Sequence, residues 1–434
     1  MPRESTGAHW FRAALSGAVG ALIFVFPTTH EPVSARADGF SDEHTTEVMP
    51  PASAHIAPSS GLFATACTGA GNCVAGGDYQ VGTKPVEPVV ATQSHGRWSR
   101  GIRLILPPDA AQQPYSQVNG VACVSTGNCV AVGDYEYGRS GSLQAFIATE
   151  SHGRWARAYA PRLPANSSAP GSAQLGAVAC TQSGFCEAVG SYLDSSGNEQ
   201  AMALAKPTGD GWHQATEVAS PLSAAANPDA FMNGIACTGA GSCVAVGSYS
   251  MSAARYAAMG AIESGGAWRR ATGIAAPHNA IASTFTAISS ISCLATGACL
   301  GVGEYAVSAT QSRAMSVTES KGRFSTATEI TAIPGGASPH PSTYLLGVSC
   351  TSTSTCLAVG GGRNRAGHSV AMYMIRSHGR WRAAFLPPPA RAGTGIHALS
   401  ALYSVSCTGR DECTAVGYFS DRTGVRRAEA ASTR

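Results

Sequence analysis

Short apolar runs along the chain alternate with polar positions at period two and are cut by turns rich in glycine, serine and asparagine, a pattern that predicts half-buried β-strands. From Cys129 to Tyr135, the residues Cys129, Ala131, Gly133 and Tyr135 share one face, and Val130, Val132 and Asp134 the other. The small alanine and glycine are expected to let a neighbouring sheet approach, while valine fills the opposite interface. The same text returns as ACVSTGNCVAVGDY at 122–135, ACTQSGFCEAVGSY at 179–192, ACTGAGSCVAVGSY at 236–249 and SCLATGACLGVGEY at 292–305.

Cysteine sets the period. All 14 cysteines form seven pairs with five residues between members: Cys67 and Cys73, Cys123 and Cys129, Cys180 and Cys186, Cys237 and Cys243, Cys293 and Cys299, Cys350 and Cys356, Cys407 and Cys413. First members recur every 56 or 57 residues, and repeats begin near residues 61, 117, 174, 231, 287, 344 and 401. In the second copy, strand a is NGVACV at 119–124, strand b CVAVGDY at 129–135, strand c LQAFIATES at 143–151, and strand d WARAYAP at 155–161, after the turn HGR. Four antiparallel strands per repeat of this length predict an all-β chain, a single seven-bladed β-propeller over residues 38–434. An open solenoid and two smaller domains are the alternatives. The last copy stops after its strand c, RRAEAASTR, and residues 43–50 are in phase to replace the missing strand d. Glu47 stands 20 residues before Cys67, as Glu217 does before Cys237. That segment is expected to complete the last blade and close the ring, covering the edge that would otherwise stand unpaired there.

Arg3 and Arg12 precede the apolar run 13–26, and Ala35-Arg36-Ala37 follows it. This is the order of an export signal ending at residue 37, with an uncleaved N-terminal anchor as the alternative. The run is shorter than the roughly 20 residues of a membrane-spanning helix, and no later stretch is longer. Secretion or attachment to the cell envelope is therefore expected. Export and hairpin spacing together predict seven disulfides, with zinc ligation by the thiolates as the rival reading. Composition narrows the rest: 44% hydrophobic residues exclude general disorder, and a formal charge of +3 gives no electrostatic reason for a nucleic-acid partner. No cofactor or metal motif stands out, and a monomer is expected.

Trp98, Trp155, Trp212, Trp268 and Trp381, with Phe324 in the fifth copy, open strand d and are expected to pack between blades, a sugar-binding aromatic stripe being the other reading. Arg139, Arg255, Arg313, Arg363 and Arg365 are placed in the loops between strands b and c, where they would give one rim a positive field for an anionic glycan or acidic protein; solvated surface arginines are the plain alternative. Asp78, Asp134 and Glu304 end strand b in three copies, and a carboxylate pair is what glycoside hydrolysis requires.

The turns SHGRW at 94–98, 151–155 and 377–381, with SGGAW at 264–268 and SKGRF at 320–324, resemble the Asp-box of sialidase-type propellers, without its aspartate and with shorter spacing. In that family the box is structural. The whole repeat, Cys-x5-Cys-x-Ala-Val-Gly-x-Tyr followed by Gly-x-Trp, resembles that of secreted, mostly uncharacterised propeller proteins of high-GC bacteria. That resemblance implies architecture without an assigned activity. Two functions stand from the sequence: a non-catalytic extracellular recognition scaffold for an envelope glycan or protein, and a propeller hydrolase or lyase acting on extracellular polysaccharide.

Overall fold

The computed structural model describes residues 40, 45–54, 58–138, 141–168, 172–253, 255–281, 285–295, 297–339 and 341–433. The expected export segment and Arg139 lie outside the described residues. Seven antiparallel sheets follow one another along the chain, each with strands in the order a, b, c, d. The first blade is typical: strand a is Ser59–Gly69, b Asn72–Gln80, c Val86–Ser94, and d falls in two pieces, Arg97–Trp98 and Ile102–Arg103. The later a strands are Ser116–Ser125, Ala173–Cys180, Phe231–Gly239, Thr286–Cys293, Thr343–Cys350 and Ser400–Gly409. Each packs against the a strands of the blades before and after it, and the seventh packs against the first, so strand a forms the inner wall of a closed ring. No helix among the described residues is long and apolar enough to cross a membrane.

The last blade takes Ser400–Gly409, Glu412–Ser420 and Arg426–Ser432 from one end of the chain and Thr45–Glu47 from the other. Thr45 pairs with Ala431, Thr46 with Ala430 and Glu47 with Glu429, and the Val48 amide extends the ladder to the Ala428 carbonyl at 3.0 Å. Arg391 reaches Glu47 at 3.0 Å. Across the seam, the Thr65 and Cys67 amides donate to the hydroxyls of Ser404 and Ser406.

All seven cysteine pairs are disulfides, each joining directly opposed residues with Cα atoms 3.9–4.0 Å apart. Each closes only its own a–b hairpin. In the chain-entropy account a loop this short gains about 2 kcal/mol per bridge. The indoles and Phe324 are half-buried and pack in the apolar clusters between blades, as expected.

Two expectations change. The recurrent glycine of strand b is not there to admit the next blade. Strand a carries a β-bulge at the same place in every blade, between Leu62 and Ala64 in the first and between Leu402 and Ser404 in the last. The bulge pushes a strand a carbonyl inward. A Cβ on Gly247 would lie 1.9 Å from the Phe231 oxygen, and the other six glycines, Gly77, Gly133, Gly190, Gly303, Gly360 and Gly417, meet theirs at 1.9–2.0 Å. Strand d, read from sequence as continuous, is interrupted in most blades. Ser99 and Ser325 take over the ladder there, their hydroxyls accepting from the Thr92 and Thr318 amides at 3.2 and 3.1 Å. A broken outer strand offers a poor template for another chain.

Glu429 is one of the acidic residues that break the core pattern. Glu429 pairs with Gly417, where Met202, Met259, Met315 and Met372 pair with the equivalent glycines of blades 3 to 6. It is 0% exposed, and neither carboxyl oxygen has a hydrogen-bond partner among the described residues. Burial pushes its pKa up to about 8.

Two tests follow from these positions. Gly247→Ala is expected to cost about 3 kcal/mol or more in urea unfolding of the oxidised protein, because the clashing atom is backbone. Gly211→Ala, with nothing within 4 Å of the new methyl, is expected to change stability by less than about 0.5 kcal/mol. Glu429→Met is expected to stabilise increasingly as pH rises. With its folded pKa raised, wild type binds more protons folded than unfolded between about pH 4.5 and 8, so its stability falls through that window by at most ~1.4 kcal/mol per pH unit. Melting curves of both proteins from pH 4 to 9 should therefore diverge with pH; parallel curves would contradict this.

Candidate functional site

The side chains with the most distinctive chemistry gather where the first and last blades meet, on the channel wall at its b–c end. The bulges create this arrangement by re-aiming one residue per strand a, here Phe63 and Tyr403. Their rings meet edge to face at 5.1 Å and 80°, and Tyr403 lies 6.1 Å from Tyr418. Arg426 opens strand c of the last blade. Its guanidinium lies 5.7 Å from the Phe63 ring centre and 5.8 Å from that of Tyr418, and Nη2 donates to Asp78 Oδ1 at 2.5 Å. Gly61 leaves the passage open, since a Cβ there would sit 3.4 Å from the guanidinium carbon. The Arg426 side chain is 32% exposed and that of Asp78 only 6%, so a wetted cation covers a sealed anion. Burial lifts the Asp78 carboxyl above its usual range, and Arg426 pulls it back. Burial likewise raises the phenols of Tyr344, Tyr403 and Tyr418, which stay protonated and able to donate.

The other sequence candidates do not join this cluster into one site. Asp134 is 1% exposed and accepts from Asn119 Nδ2 at 2.6 Å, with burial pushing its pKa up to about 6. Its second oxygen is buried without a partner among the described residues. Glu304, raised by burial, has Ser312 as its hydrogen-bonding neighbour. The arginines are only partly in loops, because strands b and c run further toward the rim than the sequence indicates. Arg255 opens strand c of blade 4 opposite Ser252, Arg313 pairs with Tyr305, and Arg363 ends strand b opposite Ser369. Arg365 stays in a turn, exposed like Arg255 and Arg363.

Two clusters escaped the sequence reading. Glu199 accepts from the Ser191 hydroxyl at 2.6 Å and shares a hydrogen bond with Asp229, which also accepts from the Tyr256 phenol. Burial and the neighbouring Asp229 push Glu199 up to about 8, while burial and Asp229 raise Tyr256. A carboxyl raised this far and a phenol with a raised pKa are both poor nucleophiles. The available signal was positional: Glu199 and Tyr256 occupy the strand c position that Arg426 holds. The second cluster is Glu187, which replaces a core valine. It accepts from the Trp268 indole at 2.7 Å, and burial and the Glu263 charge push its pKa up to about 8. A Cys243 sulfur lies within 4.8 Å of both carboxyls, but that sulfur is in a disulfide and offers no thiolate to a metal.

No protein-family model matches the chain, and no curated protein does. Among similar solved structures, a protein of unknown function from Dyadobacter fermentans is 9% identical with a TM-score of 0.51, over 90% of this chain and 98% of that one. The Hadza microbial sialidase Hz136 is 12% identical with a TM-score of 0.47, over 79% and 68%. The GH93 α-L-arabinofuranosidase of Fusarium graminearum is 13% identical with a TM-score of 0.44, over 76% and 96%. At 9% identity the likeness to the Dyadobacter fermentans protein is one of fold.

Removing Arg426 strands a buried carboxylate. Arg426→Met is expected to cost about 2 kcal/mol at pH 7, less than a fully dry pair would because the guanidinium is wetted. In a double-mutant cycle, Arg426→Met made in an Asp78→Asn background should cost far less; equal losses in both backgrounds would show that the ion pair is not coupled.

Proposed function

We propose that the protein is a non-catalytic extracellular recognition scaffold that seats a glycan at the b–c mouth of its channel. The observation that carries this reading is the cradle of Phe63, Tyr403 and Tyr418 around the wetted Arg426 guanidinium. Aromatic faces take the apolar side of a sugar ring, while a guanidinium and protonated phenols donate to its oxygens. Seven disulfides speak for an oxidising extracellular setting, and an export signal at residues 1–37 is part of the proposal.

The hydrolase reading needs two carboxyls placed on either side of a bond. Asp78 is spent on Arg426, Asp134 is sealed, and Glu199 and Asp229 contact each other directly. The test is a glycan array together with a panel of chromogenic glycosides. Binding is expected to at least one glycan and to fall about tenfold or more in Tyr403→Ser, which places at the bulge the residue that blade 5 has as Ser289. Turnover of any glycoside that disappears in Asp134→Asn would overturn the non-catalytic reading.

A further inference from the structure

The same seam has a second concave site on the opposite rim, beside the Cys67–Cys73 and Cys407–Cys413 disulfides. A cleft of about 370 Å³ opens there between the last and first blades, a size within the range of small-ligand sites. Trp98 lines it from the first blade, with Gln93 beside it; Glu412, Thr414, Ser432 and Thr433 line it from the last. We infer that this cleft binds one uncharged sugar ring, stacked on Trp98 and hydrogen-bonded by the Gln93 amide and the surrounding hydroxyls.

The cleft exists because the last blade is assembled from both ends of the chain. In blades 1, 2 and 4 a tight turn joins strands c and d, and its glycine amide ties back to the a–b turn, as Gly96 does to the Gly71 carbonyl at 2.9 Å. In the last blade the Thr433 hydroxyl replaces that tie, donating to the Asp411 carbonyl at 2.9 Å and accepting from the Cys413 amide at 2.8 Å. Side-chain chemistry changes at the same place. Thr414 stands where Val74, Val130, Val244, Leu300 and Leu357 stand in other blades, so the wall facing Trp98 carries a hydroxyl instead of an aliphatic surface. Gln93 occupies the position held by Glu150, Glu263 and Glu319 elsewhere, which removes a charge.

Gln93 is 4% exposed. Its amide nitrogen reaches the Gly96 carbonyl at 3.3 Å, and its Oε1 is buried with no hydrogen-bond partner among the described residues. An amide oxygen left unpaired behind the cleft wall costs free energy that a ligand donor reaching it would recover. The lining has no lysine, arginine or histidine among its described residues, so none of these compensates the charge of an acidic sugar. An aromatic face, an amide, hydroxyls and one carboxylate are instead the complement of a neutral ring with several hydroxyl groups. This site is independent of the channel mouth, and either can fail without the other.

The experiment uses the oxidised full chain, with saturation-transfer NMR and calorimetry against the methyl glycosides of glucose, galactose, mannose, N-acetylglucosamine and fucose, and glucuronic acid as the charged comparison. At least one neutral glycoside is expected to bind, and glucuronic acid not to. Thr414→Val, which installs the residue of blades 1, 2 and 4, is expected to weaken binding roughly tenfold while leaving the melting temperature in place. Gln93→Met should weaken it similarly, and Tyr403→Ser, at the other rim, should leave it unchanged. Absence of binding by every neutral glycoside, binding indifferent to both cleft substitutions, or binding lost in Tyr403→Ser would each overturn the assignment.

Discussion

Three residue pairs, Thr45 with Ala431, Thr46 with Ala430 and Glu47 with Glu429, place the two ends of the chain in one sheet, and the arrangement of the whole ring depends on them. Each blade buries its faces only against its neighbours; the strands of the last blade pack on the first, and this pairing covers the last blade's outer edge. No covalent bond reinforces the junction, because every disulfide lies within a single hairpin. Its strength comes from the backbone ladder, the serine hydroxyls that bridge neighbouring a strands, and the Arg426–Asp78 pair.

The junction is also where the repeat stops being symmetric. A seven-fold repeat offers seven equivalent interfaces, and most of them are filled by an indole or phenylalanine against aliphatic side chains. Between the last and first blades the sequence departs from this rule twice, with Arg426 on the channel side and Thr414 facing Trp98, and Glu429 takes a methionine's place on the other face of the last blade, toward the sixth. Departures that cost packing or leave polar atoms unpaired are where a repeat protein acquires individual chemistry.

Much of the architecture was legible because it follows from local rules repeated seven times. Cysteine spacing gave the hairpins, the phase of Glu47 gave the closure, and the tryptophans gave the interblade packing. The constraint on the strand b glycine comes from a bulge in the partner strand, so strand b's own alternation does not show it; the mark is in strand a, where Leu175 and Val178, three apart, fall on one face. Arg426 carries no signal of its own in the sequence, because its meaning lies in Asp78, 348 residues away along the chain. Glu199 and Tyr256 were hidden likewise, since each is an ordinary strand residue until Asp229 of the neighbouring connection is placed beside it.

The outermost strand of the last blade is held by backbone pairing and contributes no turn, so the position of the chain break is separable from the ring itself. Circular permutation that joined Ser432 to Thr45 through a glycine-bearing hairpin and reopened the chain between two other blades would keep all seven sheets. The gap beside Trp98 would then close, and an equivalent gap would open wherever the new ends were placed.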